Sequence, residues 1–131
     1  GSHDIDLKNV IKFLKDKTTD SKVSLFIDDI IGVDYASEMN ADIIEIHTGK
    51  FSKDIEKNNK TVIDEIKNIV NHAKDNNLLI NAGHDLNLNN LNYLVEIGNI
   101  NEVSIGHAII IDSLHYGFEE TILRYLNIIR K

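Results

Sequence analysis

The sequence predicts an α/β fold of four βα units, a parallel sheet whose strands are separated by helices. Three observations predict it. Short Val/Ile/Leu-rich segments recur at "KVSLFID" (22–28), "DIIEIHTG" (42–49), "NLLINAGHD" (77–85) and "NEVSIGHAII" (101–110). Stretches of helical period lie between them. No hairpin dipeptide joins one strand to the next, so the strands pair in parallel through crossovers.

The elements follow in order. Apolar residues at Leu7, Val10, Ile11 and Leu14 predict a helix before the first strand. Asp28 and Asp29, at the end of that strand, read as a helix cap rather than as catalysts. Residues 32–40 are weak as a helix, although they must bridge two strands. In the second strand the isoleucines predict burial on both faces. Glu45 and His47 interrupt them two residues apart, which places both on one side. Residues 50–60 are polar and read as a loop or a short surface helix. Val62, Ile63, Ile66, Ile69, Val70 and Ala73 mark a long amphipathic helix. After the third strand, Asn87 reads as the cap of "LNNLNYLVEI". Gly106 and His107 open a helix after the fourth strand, and residues 118–129 form the last one.

Composition sets limits. The 131 residues, 42% hydrophobic, suit one domain over 1–131, with no Pro/Gly/Ser-rich linker and no close internal repeat. The absence of cysteine excludes a disulfide frame, a thiolate metal site and a cysteine nucleophile, and suits a reducing cytoplasm. With 14 basic and 21 acidic residues, the net charge of −7 argues against a nucleic-acid or anionic-membrane surface. It is compatible with a local anion pocket of backbone amides. No apolar run approaches the roughly 20 residues of a membrane helix, and no signal-peptide pattern opens the sequence. The expected location is cytoplasmic.

Four βα units are too few for a closed (β/α)8 barrel, which takes about 200 residues or more. Two architectures are open: a small sheet of flavodoxin-like size, or half a barrel that needs another half. The polar strand ends favour the half-barrel. They finish in Asp28, in Glu45, His47, Thr48 and Gly49, in Asn81, Gly83 and His84, and in Gly106 and His107. Parallel α/β proteins place their sites at these carboxyl ends.

Each of these residues has a structural reading beside a functional one. Glu45 could be a salt-bridged structural carboxylate, but a barrel lumen is the polar place such a strand can face, which favours function. His47 reads as structural, bonded to a neighbouring backbone carbonyl. His84 lies where an acid or base would reach a ligand. Gly83 is as readily a turn glycine as a site residue. The amides of Gly106 and His107 suit a phosphate better than a mere tight turn. His72 and His115 read as surface residues. Glu45, His47, His84 and His107 are ligand types for Zn or Fe, yet they lack a tight ligand spacing such as HExxH, and no metal is expected.

The segments "VSLFID", "IIEIHTGKFS", "INAGHDLNLNN", "EVSIGHAII" and "GFEETILRYLNIIRK" together resemble the C-terminal half of the pyridoxine 5′-phosphate synthase family of vitamin B6 biosynthesis. The resemblance runs from Val23 onward. It implies the C-terminal half, four βα units, of a (β/α)8 TIM barrel with extra helices, in a family that assembles as a homo-octamer. It implies condensation of 1-deoxy-D-xylulose 5-phosphate with 3-amino-2-oxopropyl phosphate, without metal or organic cofactor. Glu45 then matches a carboxylate that stabilises transition states, and His84 matches the proton donor. Gly106 and His107 match the pair that holds the aminooxopropyl phosphate through backbone groups. Asp85 stands where the family pattern "AGHGL" has a second phosphate-binding glycine, so it brings negative charge beside that phosphate.

The family's N-terminal half, with its "N.DH" strand, phosphate-contacting arginines and a second histidine and glutamate, has no counterpart in these residues. The expectation is an inactive chain that needs that half as partner. Gly1 to His3 read as a tag remnant or as a native break. Two other readings are carried: a non-catalytic phosphate-binding half-barrel that pairs with itself or a partner, and a metal-dependent barrel enzyme.

Overall fold

The computed structural model describes residues 2–17 and 22–130, so the reading of Gly1 lies outside the described residues. Four strands, β1 (Ser24–Ile27), β2 (Ile43–His47), β3 (Leu79–Gly83) and β4 (Glu102–Ser104), form one sheet in the order of the chain. Every pairing is parallel, with one row running Phe26, Glu45, Asn81, Glu102 and the next Ile27, Ile46, Ala82, Val103. The helices are α1 (Ser2–Lys17), α2 (Ile30–Glu38), α3 (Gly49–Glu56), α4 (Thr61–Asp75), α5 (Leu91–Ile97), α6 (His107–Tyr116) and α7 (Phe118–Ile129).

Strand periodicity divides the sheet into two unlike faces. Ile27, Ile44, Ile46, Ile80 and Ala82 are buried in one core with Val33, Phe51, Val62 and Val70 from the helices. The alternate residues point the other way, where Phe26 is 74% exposed and Leu79 37%. The isoleucine run of β2 is therefore buried on one face, not on both. Ile44 and Ile46 enter the core, whereas Ile43 stands with Glu45 on the barer side. A doubly wound sheet reverses its strand order and covers both faces; neither feature occurs among the described residues.

The segment that reads as weak, 32–40, is largely helix α2, and the one that reads as a loop or short surface helix, 50–60, begins with the short helix α3; packing explains both. In α2, Val33 and Ala36 are fully buried, and the Asp29 side chain accepts from the Gly32 amide at 2.8 Å as its N-cap. Gly32, which lowers the helix propensity, is required by contact: a Cβ there would lie 2.8 Å from Ile27 Cβ. In α3 the buried Phe51, with the partly buried Ile55, anchors a mostly polar helix. Its outer side carries Lys50, paired with Asp54 at 2.8 Å and Glu65 at 3.1 Å.

Three further contacts fasten the layers. His72, read as a surface residue, joins α4 to α2 through Asp34, Nε2 to Oδ1 2.6 Å. Lys15 of α1 donates to the Asn40 carbonyl and to Asp42, which also accepts from the Val23 amide at 2.8 Å. Tyr125 of α7 donates to Asp112 of α6 at 2.8 Å. Asn87 does not cap α5. Its side chain accepts from the amides of Asn89 and Asn90 in a turn upstream, and the helix starts at Leu91 after Asn90.

Candidate functional site at the strand carboxyl ends

Glu45 projects from β2 onto the barer face and leans toward the carboxyl end of β3. A Cβ on Gly83 would meet Glu45 Oε1 at 3.1 Å and Ser104 Cβ at 3.1 Å. Gly83 is thus the last residue of β3 and a close-approach glycine, not a turn glycine. Glu45 is partly buried and has no hydrogen-bond or ion-pair partner among the described residues.

The turn follows Gly83. His84 has φ 121° and Asp85 φ 56°, two consecutive non-glycine residues in left-handed backbone. Such residues cost on the order of 1–3 kcal/mol each and persist only where surroundings hold them. Two buried side chains do so. Thr48 Oγ1 donates to the His84 carbonyl at 2.7 Å, and Asn90 Nδ2 donates to the Asp85 carbonyl at 3.0 Å. Thr48 is 0% exposed and Asn90 2%.

The His84 ring lies against the His47 ring, centroids 4.2 Å apart and 31° from parallel. His47 is therefore a ring partner, and no backbone carbonyl bonds it among the described residues. Gly49 leaves the space for both rings, since a Cβ there would sit 2.8 Å from His47 Cε1 and 3.2 Å from His84 Cδ2. His84 Nε2 stands 3.5 Å from Asp85 Oδ2, with both side chains about half exposed, so this pair contributes little.

Beside this turn a cleft of about 540 Å³ opens between His84–Asn87 and Ser104–Ala108. Gly106 precedes α6, His107 is its exposed first residue, and no side chain among the described residues caps the helix. First-turn amides without a side-chain cap are suited to an anion. His84, Asp85, Gly106 and His107 all line the cleft, whereas Glu45 and His47 lie outside its lining. No three His, Asp or Glu side chains gather as a metal ligand set among the described residues. No helix among them is long and apolar enough to cross a membrane.

Residues 2–131 match the family model described as "Pyridoxal phosphate biosynthesis protein PdxJ". The chain belongs to this family. It is 43% identical over 112 residues to the pyridoxine 5′-phosphate synthase of Cytophaga hutchinsonii, covering 84% of this chain and 47% of that protein. It is 38% identical over 126 residues to that of Christiangramia forsetii, covering 95% and 52%. The synthase of a Sulfurihydrogenibium species is 36% identical over 131 residues, covering 95% and 54%. The chain spans about half the length of these curated relatives.

Within this PdxJ-family chain, the left-handed backbone at Asp85 gives a physical reason for the glycine that the resemblance expects there. Aspartate is among the few other residues tolerated in that conformation. Sequence reading placed Thr48 at a polar strand end without giving it a role, and passed over Asn90. Thr48 stood between two candidates in "HTG"; Asn90 was hidden in a run of asparagines, where nothing local distinguishes one from the next.

Proposed function

We propose that this chain is the C-terminal half of a (β/α)8 barrel that synthesises pyridoxine 5′-phosphate from 1-deoxy-D-xylulose 5-phosphate and 3-amino-2-oxopropyl phosphate. The observation that carries the reading is the Glu45 carboxylate, without a partner among the described residues, poised over Gly83, next in the chain to His84 and its cleft. Family membership and the names of the relatives support it.

The chemistry follows from the groups. Closing a pyridine ring requires imine formation, phosphate loss and dehydration, so protons move at several positions. His84, held at the mouth of the cleft, donates a proton. Glu45 stabilises positive charge that develops during ring closure. The backbone at Asp85, Gly106 and His107 holds the aminooxopropyl phosphate at the start of α6. No metal or organic cofactor takes part. The barer sheet face, with Phe26, Ile43 and Leu79, is the lumen side, closed by the other half of the barrel. That half brings the remaining bases and phosphate-binding arginines. The completed protein assembles as a homo-oligomer in the cytoplasm.

The test is formation of pyridoxine 5′-phosphate from the two substrates. The 131-residue chain alone is expected to be inactive, and the chain combined with the N-terminal half of a family member active. Glu45→Gln and His84→Asn should each lower turnover of the combined protein by about 100-fold or more. Turnover by the chain alone would reject the half-barrel reading. Asp85 favours a second reading, a phosphate-binding half-barrel without catalysis; binding of phosphate with no turnover in any combination would select it.

A further inference from the structure

The His84–Asp85 turn poses a problem that the catalytic assignment does not answer. Two successive residues without glycine's freedom adopt positive φ, and each has its carbonyl held by a buried side chain, Thr48 at the end of β2 for His84 and Asn90, five residues on, for Asp85. Thr48 grips twice: its amide donates to the Gly83 carbonyl at 3.1 Å and its hydroxyl to the His84 carbonyl at 2.7 Å. Asn90, through the same amide that holds the Asp85 carbonyl, also reaches Ser52 Oγ at 3.1 Å, tying the turn to α3. His47 supplies a ring face at 4.2 Å, and Gly49 leaves room for the two rings. A turn needed only to change direction could carry glycine and require none of this.

We propose that His47, Thr48 and Asn90 are positioning residues that hold the His84 imidazole in one orientation at the mouth of the cleft. Thr48 and Asn90 fix the peptide groups on either side of the Cα of Asp85, and His47 fixes the ring. None of the three donates a proton to substrate; they act through His84. This rests on the reading of His84 as proton donor, because orientation of its ring matters for chemistry only in that role.

Two measurements test it, the first independent of activity. Side-chain NMR of His84 in the 131-residue chain reads the ring-current displacement and the contacts to the His47 ring. Thr48→Ser keeps the hydroxyl and should preserve both. Thr48→Val is nearly isosteric and should abolish the inter-ring contacts and average the His84 ring shifts, with amide signals elsewhere unchanged. His47→Phe keeps a stacking face and should preserve a displaced His84 ring; His47→Ala should not. Unchanged His84 ring signals in Thr48→Val and His47→Ala would overturn the proposal.

The second measurement is kinetic, in the chain combined with an N-terminal half. Thr48→Val should lower kcat by roughly ten- to 100-fold with KM changed less than about threefold, and Thr48→Ser should restore it. A raised KM at unchanged kcat would overturn the positioning role. If the combined wild-type protein shows no synthase turnover, the proposed function fails, while the NMR result still decides whether the three residues hold the ring.

Discussion

The carboxylate of Glu45 lies over Gly83 so closely that a methyl group there would meet Oε1 at 3.1 Å. The same methyl would press on Ser104 Cβ from the other side, also at 3.1 Å. Gly83→Ala therefore cannot be absorbed by one flexible side chain. We expect it to destabilise the fold by about 1–3 kcal/mol, as overpacking does, and to displace the Glu45 carboxylate. Urea denaturation and a Glu45 side-chain NMR shift check this. Wild-type stability with an unmoved carboxylate would show that Gly83 is not there for space.

Asp85 places a carboxylate on the lining of the cleft that the uncapped start of α6 also borders. Asp85→Gly removes that charge and suits the backbone at φ 56°. Inorganic phosphate should then bind more tightly, by about 1 kcal/mol or roughly fivefold at low salt, with the difference shrinking as ionic strength rises. Stability should change by less than about 1 kcal/mol, because relief of strain is offset by glycine's extra freedom when unfolded. Phosphate titrations of both proteins at two salt concentrations measure it, and equal affinities would mean that the carboxylate does not reach the anion.

Burial raises the Tyr125 hydroxyl well above its ordinary range, and the hydrogen bond to negatively charged Asp112 adds to the effect. A group whose folded value is raised contributes stability that is complete below the unfolded value and is lost as pH rises toward the folded one. Stability should accordingly begin to fall above pH about 10. Tyr125→Phe should cost about 1–2 kcal/mol at neutral pH and remove its share of that alkaline loss. Denaturant midpoints from pH 8 to 11 for the two proteins provide the comparison.

Asp42 gives the opposite limb. Burial opposes its ionisation, but the Val23 amide and Lys15 outweigh burial and hold its carboxyl below the usual carboxylate value. Its contribution is present above the unfolded value of about 4 and is lost as pH falls through the folded one. The side chains of Asp42 and Lys15 are each 32% exposed, so the effect should be under about 1 kcal/mol. Asp42→Asn should flatten the acid side of the stability curve between pH about 5 and 2. An identical acid limb in the variant would place the lost stability elsewhere.

Much of the fold was readable before any coordinates. Val62, Ile66, Ile69, Val70 and Ala73 repeat at helical spacing, and all five are buried in α4. The strands fell where β-branched runs met glycine or polar ends, because both periods are local properties of the chain. For the same reason the α2 segment reads as weak and the α3 segment as a loop or a short surface helix. Their stability comes from Gly32 fitting against Ile27 and from Phe51 entering the core, neither of which is a local signal.

The candidate site divides similarly. Residue type and strand-end position were enough to single out Glu45, His84, Gly106 and His107, since carboxylates, imidazoles and helix-opening amides carry their chemistry wherever they stand. Their relation to one another was not readable. Thr48 and His84 are 36 residues apart in the chain, and Asn90 and Ser52 are 38. The alternation of apolar and polar residues was sufficient to specify four parallel βα units with polar strand ends. Only the tertiary structure decided that Ile43 stands with Glu45 on the barer face, that Gly83 makes room for Glu45, and that a threonine and an asparagine hold a strained histidine turn. Those outcomes depend on which distant side chains meet, and meeting is a property of packing rather than of pattern.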